Sequence, residues 1–186
     1  VATYLQGRQP GSAFKPFVYE VAFQKGATPE TTVVDEETNF GVWGGKEYIP
    51  KNYDGKFRGE VTLREALAQS LNVPSIKVLL QFAGISDSLA FAKELGISTL
   101  KDPSSYGPAL VLGGGEVRLL DMTSAYGVFA ADGAFSPISP ILKVEDSKGN
   151  VLEEYRENKT QVLEPNVARM MSDVLADDGA RAPAFT

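Results

Sequence analysis

The chain contains no cysteine and no histidine among its 186 residues. Without cysteine there is no disulfide, no thiol nucleophile and no thiolate metal site. Without histidine a Ser-His-Asp triad cannot be assembled within the chain. Zinc sites built on these residues are excluded as well, and neither a metal nor another cofactor is expected. A serine enzyme made from this sequence must take its base from Lys, Glu, Asp or Tyr. No run of 18 or more apolar residues occurs, so no membrane-spanning helix and no membrane contact are expected from this stretch. The net charge is −6 and the basic residues are scattered singly. That argues against the basic stripe by which nucleic acid is held.

What is there suits one folded domain. Apolar residues make up 43% and charged residues 23%, enough for a real hydrophobic core. Val1-Ala2-Thr3-Tyr4 is neither a start methionine nor a signal peptide, and the end at Arg181 to Thr186 shows no capping logic. The chain is therefore expected to be a piece of a longer protein.

Periodicity divides the chain, read as a single partial domain over 1–186, into five stretches. Residues 1–25 carry a helix from Ser12 to about Lys25, with Phe14, Phe17, Val18, Val21 and Ala22 at helical spacing. Pro16 belongs in a first turn, which places Ser12 at or near the N-cap. Residues 26–60 are rich in turns, with short strands at Thr31 to Val34 and Glu47 to Ile49. Residues 61–135 form a helical core. Thr62 and Glu65 make a capping box there, Pro74 opens a further helix, and a helix from Glu116 to Ala131, apolar nearly all round, is expected to be buried. Residues 136–163 read as a β-hairpin about Asp146 to Asn150 plus a short strand, and 164–180 as a last helix.

Two short motifs can carry chemistry. Ser12-Ala13-Phe14-Lys15 places a hydroxyl and an amine one helical turn apart. A serine needs a base to become nucleophilic, and lysine serves only when desolvation keeps it neutral. Phe14 and Phe17 offer such an apolar setting. The helix start would also favour a developing oxyanion. Ser-x-x-Lys alone is weak: about one arises by chance in a chain of this size. Ser98-Thr99-Leu100-Lys101 is a second copy, in a turn before Asp102-Pro103. On these four letters alone, the plain helix cap is the favoured reading of Ser12, by roughly four to one. The second motif is Ser70-Leu71-Asn72, between two helices. Its hydroxyl can relay a proton and its amide can hold a substrate or Lys15, although Ser and Asn are common at such junctions. Gly113-Gly114-Gly115 lacks the pattern of a phosphate cradle and reads as a flexible turn. Trp43 and Tyr48 read as loop packing.

At these residues a resemblance enters. Arg8-Gln9-Pro10-Gly11-Ser12-Ala13-Phe14-Lys15-Pro16-Phe17 resembles the active-site serine segment of penicillin-binding proteins. Asn52-Tyr53-Asp54, then Phe57 through Pro74, is similar to the block with the family's Ser-x-Asn motif. Tyr106-Gly107, Leu112 to Val117 and Leu120 to Ala130 resemble the next block. Gln9 looks more like the bifunctional, class A members. The resemblance implies a peptidoglycan D,D-transpeptidase on the extracytoplasmic face of a bacterial plasma membrane, anchored by a segment outside this chain. Its partners would be stem peptides ending in D-Ala-D-Ala, and β-lactams. It implies Ser12 as acylated nucleophile, Lys15 as base, Ser70 as proton relay and Asn72 as an orienting group. A carboxypeptidase, a β-lactamase-like hydrolase or a non-catalytic module is the alternative.

The family's third motif, Lys-Thr-Gly, is missing: the one Lys-Thr, Lys159-Thr160, is followed by Gln161. The fold expected is therefore α+β and predominantly helical, an incomplete penicillin-binding-protein/β-lactamase-like fold lacking most of the central antiparallel sheet. The remaining strands, possibly a second chain, become an expected partner, and weak activity of the chain alone is expected.

Overall fold

The structure, a computed structural model, describes residues 6–184. Its centre is α1 (Lys15–Gln24), in which every residue from Lys15 to Phe23 is buried. A 3-10 turn, Gly11–Phe14, leads into it. Ser12 was expected at or near the N-cap; it lies near it, inside this turn, while Phe14 is the N-cap of α1, Pro10 flanks the turn and no side chain caps either. Pro16 explains the difference. It has no N–H to give the Ser12 carbonyl four residues back, so that carbonyl accepts from the Lys15 N–H instead, and the first turn tightens.

Helices α2 (Leu63–Ala68), α3 (Asn72–Val78), α4 (Ile85–Glu94) and α6 (Pro165–Ala176) pack against α1. The Thr62–Glu65 capping box is formed in both directions, at 3.1 Å and 2.8 Å. α3 opens at Asn72, two residues before Pro74, and continues through a π turn, Leu79–Ala83. α5 (Leu119–Ala130) starts later than expected. Val117 instead pairs with Arg8 through two backbone hydrogen bonds of 2.9 Å. Nor is α5 buried all round: Met122, Ala125, Val128 and Phe129 enter the core, but Leu119 is 60% exposed. Leu119, Met122 and Tyr126 line an open apolar groove of about 530 Å³ with Pro10 and Ala13, which accounts for the unburied face. A short α7 (Asp178–Arg181) follows α6.

The strands form separate antiparallel pairs: β1 (Thr32–Asp35) with β4 (Gly59–Thr62), β2 (Val42–Trp43) with β3 (Lys46–Glu47), β5 (Ala134–Phe135) with β8 (Thr160–Gln161), and β6 (Lys143–Glu145) with β7 (Val151–Glu154). The fold is thus α+β and predominantly helical, with no sheet larger than two strands among the described residues. Trp43 lies over Gly107, where an added Cβ would meet its ring at 2.7 Å, and Tyr48 packs on Phe40. Glu20, fully buried in α1, has no hydrogen-bond partner among the described residues. Burial pushes its carboxyl up to about 8, so at neutral pH it sits in the core chiefly as a neutral acid. No single helix among the described residues is long and apolar enough to cross a membrane.

Candidate active site

Lys15 opens α1, and its side chain is completely buried. Phe14, 1% exposed, and Phe17, 0% exposed, flank it in sequence, and Phe17 stacks on Phe129 at 5.6 Å. The Lys15 Nζ donates to three oxygens: the Ser70 carbonyl at 2.6 Å, the Ser70 Oγ at 3.1 Å and the Asn72 Oδ1 at 2.9 Å. Burial lowers its pKa from 10.5 to about 7. Three acceptors match the three hydrogens of an ammonium, while the lack of water favours the neutral amine. The group is therefore poised between the two forms near neutral pH.

Ser70 and Asn72 reach this amine because of how α2 ends. Ser70 donates its N–H to the Leu67 carbonyl and Leu71 to the Ala66 carbonyl, both at 2.9 Å. This is the paired closure of a Schellman turn, whose left-handed position is ordinarily glycine. Here that position is Ser70, with φ +56°. A side chain in this conformation costs about 1–2 kcal/mol. In return the turn aims both the carbonyl and the hydroxyl of one residue at Lys15.

Ser12 is exposed, and its hydroxyl makes no hydrogen bond among the described residues. It opens onto a cleft of about 700 Å³ lined also by Asn52, Tyr53, Asp54, Arg58, Ser70 and Asn72. The structure thus brings Lys15, Ser70 and Asn72 into direct contact and sets Ser12 on the same cleft. The second Ser-x-x-Lys is different in kind. Ser98 lies in a loop with its hydroxyl donated to Asp121 at 3.2 Å, and Lys101 is exposed. Lys159 pairs with Glu157, away from the cleft-lining residues. Among the described residues, no cluster of acids could hold a metal ion.

Three supports of the site were not visible in the motifs. The Tyr126 hydroxyl donates to the Ala13 carbonyl at 2.8 Å and pins the 3-10 turn from α5. Gly113 is not part of a flexible linker: it has φ +80°, and an added Cβ would lie 2.2 Å from the Gly11 nitrogen. Backbone here packs on backbone, directly under Ser12. Asn52 sends its Oδ1 to the Asn72 N–H at 2.8 Å. All three fall within blocks of the family resemblance, and that was the one signal for them; no local pattern gave these contacts.

A buried lysine held by Ser70 and Asn72, with an exposed Ser12 on the same cleft, is a set of groups able to carry out acyl transfer without histidine. The penicillin binding protein transpeptidase domain matches residues 2–183. The chain belongs to this family. It is 35% identical over 177 residues to penicillin-binding protein 1A of Neisseria flavescens, covering 91% of this chain and 22% of the relative. It is 40% identical over 169 residues to penicillin-binding protein 1A of Aquifex aeolicus, covering 90% and 23%. The chain therefore spans less than a quarter of the length of these relatives. Among solved structures it is similar to the PonA1 protein of Mycobacterium tuberculosis in complex with penicillin V, with TM-score 0.78, 26% identity, and coverage of 90% of this chain and 46% of that one.

Proposed function

We propose that this chain supplies the serine and lysine of a peptidoglycan D,D-transpeptidase, and that β-lactams acylate the same serine. The observation that carries this reading is the buried Lys15 amine, brought to about 7 and held between Ser70 and Asn72. Ser12 Oγ attacks the carbonyl of the penultimate D-Ala of a stem peptide as its proton passes to neutral Lys15. Collapse of the tetrahedral adduct breaks the peptide bond. The departing D-Ala nitrogen takes a proton from the Lys15 ammonium through the Ser70 hydroxyl. The amine of a neighbouring stem peptide then attacks the acyl-Ser12 ester and regenerates the hydroxyl. Asn72 orients Lys15 throughout.

The family relatives support an extracytoplasmic, membrane-anchored setting for the whole protein, and strands beyond this chain would complete the oxyanion site. Labelling with a fluorescent penicillin, followed by mass mapping, tests the reading. The adduct is expected on Ser12 in the full-length protein, with slow labelling of the 186-residue chain alone. An adduct on any other residue would refute the assignment. Hydrolysis of the acyl group in the presence of an acceptor amine would favour the carboxypeptidase alternative.

The Ser70 conformation gives a second test. Ser70→Gly relieves the left-handed strain and is expected to raise stability by about 1 kcal/mol. That corresponds to roughly 2–4 °C in melting temperature. The same variant removes the relay hydroxyl, so penicillin labelling is expected to slow by about 10²-fold. Scanning calorimetry beside labelling kinetics reads both; slower labelling with lower stability would contradict the account.

A further inference from the structure

We propose that Asn52, held in one orientation by the buried carboxylate of Asp35, is a positioning residue that fixes Asn72 beside Lys15. The inference rests on the reading of Ser12 and Lys15 given above.

α3 begins with backbone N–H groups that no residue of its own neighbourhood caps; Leu71, at its N-cap, offers no side-chain bond. Such groups need an acceptor from elsewhere. Asn52 provides it from 20 residues away: its Oδ1 accepts from the Asn72 N–H at 2.8 Å and the Val73 N–H at 3.3 Å. The neighbouring Lys51 carbonyl accepts from the Asn72 Nδ2 at 2.9 Å. Asn72 is therefore gripped at its backbone and at its side chain by two consecutive residues of one loop. Only its Oδ1 is left, and that oxygen faces Lys15 at 2.9 Å.

A carboxamide performs this task only one way round. The oxygen must face α3, so the NH₂ must face acceptors. Asp35, at the end of β1 and 0% exposed, provides them: Asn52 Nδ2 lies 2.9 Å from its Oδ1 and 2.8 Å from its Oδ2. The Arg58 N–H donates to the same Oδ2 at 3.0 Å, and the Lys56 carbonyl takes a further bond from Asn52 Nδ2 at 2.9 Å. Among the described residues no cation forms a salt bridge with Asp35. Its partners are N–H donors, those of Asn52 foremost. A buried carboxylate at this place is explained by the orientation it imposes on Asn52, which then orients α3.

The test compares Asn52→Ala, Asp35→Asn, Asn52→Asp and the double variant Asp35→Asn/Asn52→Asp in the full-length protein. It measures the second-order rate of penicillin acylation at Ser12 and follows the Lys15 amine by NMR titration with ¹³C-labelled lysine. Asn52→Ala is expected to slow acylation by about 10²-fold, the loss typical of an ångström-scale misplacement. Its Lys15 titration is expected to move up towards the free-lysine value, because a loosened Asn72 admits water. Asn52→Asp sets two carboxylates face to face and is expected to be as damaging. In that background Asp35→Asn is expected to recover at least about tenfold, because the exchange restores a donor–acceptor pair. The carboxamide now at position 35 donates to the carboxylate now at position 52, and that carboxylate still accepts from α3. The same Asp35→Asn change is harmful when Asn52 is intact. Acylation within about threefold of wild type in Asn52→Ala, or no recovery in the double variant, would overturn the proposal. If penicillin does not react at Ser12 at all, the functional reading fails, and the Lys15 titration alone still decides the positioning role. An upward shift in Asn52→Ala supports it, and an unmoved titration overturns it.

Discussion

Lys15→Met is expected to slow penicillin acylation by about 10³-fold or more, the upper part of the range for losing a general base. Lys15→Arg is expected to lose as much, although it keeps the charge, because a guanidinium is never neutral at usable pH. In the wild type, acylation is expected to rise with pH through about 7, as the Lys15 amine loses its proton. Stability is linked to the same group. The folded chain holds Lys15 at about 7 and the unfolded chain near 10.5, so between those values the unfolded state binds more protons. Unfolding free energy therefore rises with pH across that window and is lost as pH falls back through it. For one group shifted this far the rise over the whole window is on the order of 5 kcal/mol. It is read as the difference between wild type and Lys15→Met, because Glu20, held at about 8, adds the same opposite fall to both profiles up to that pH. Denaturant titrations of both proteins at about pH 6.5, 8 and 9.5 give the difference directly. Parallel stability profiles would show that Lys15 is not held neutral by burial. An acylation rate indifferent to pH between about 6 and 8.5 would remove it as the base.

Much of the architecture was legible where local chemistry decides it. Thr62 and Glu65 read as a capping box and form one. Pro16 marked the start of α1. The absence of His, with Ser-x-x-Lys and Ser-x-Asn in order, singled out the four candidate residues. What escaped the sequence is what depends on distant segments meeting. Asn72 was expected beside Lys15, but Lys15 and Ser70 are 55 positions apart, and no local pattern says that the amine takes both the carbonyl and the hydroxyl of Ser70 while the Ser12 hydroxyl makes no hydrogen bond among the described residues. The left-handed Ser70 was invisible because serine is a poor choice for that position; function and local propensity disagree there. The helix expected from Glu116 begins only at Leu119 because Arg8 claims Val117, a pairing across more than a hundred residues. The long 26–60 stretch read as loops and short strands. Two of its residues, Asp35 and Asn52, turn out to brace α3.

Gly113→Ala is expected to cost at least about 3 kcal/mol and to disable the site together with the fold. Two independent penalties combine. At φ +80° an alanine is strained by about 1–2 kcal/mol. The added Cβ would also stand 2.2 Å from the Gly11 nitrogen, 2.5 Å from its oxygen and 2.6 Å from its Cα. These are backbone atoms, so no rotamer change relieves them, and Gly11 is itself committed to φ +60°. The 3-10 turn carrying Ser12 must move, although Tyr126 holds it through the Ala13 carbonyl. Gly127→Ala is the control. Gly127 lies exposed within α5, and an added Cβ there meets nothing within 4 Å. Alanine is expected to stabilise that helix by about 0.5–1 kcal/mol. Melting temperatures are thus expected to separate by roughly 10 °C, with Gly113→Ala below wild type and Gly127→Ala slightly above it. Penicillin labelling should be lost only in the first. A Gly113→Ala protein as stable and as reactive as wild type would mean that the turn under Ser12 is free to shift, and that the glycine run is a flexible linker after all.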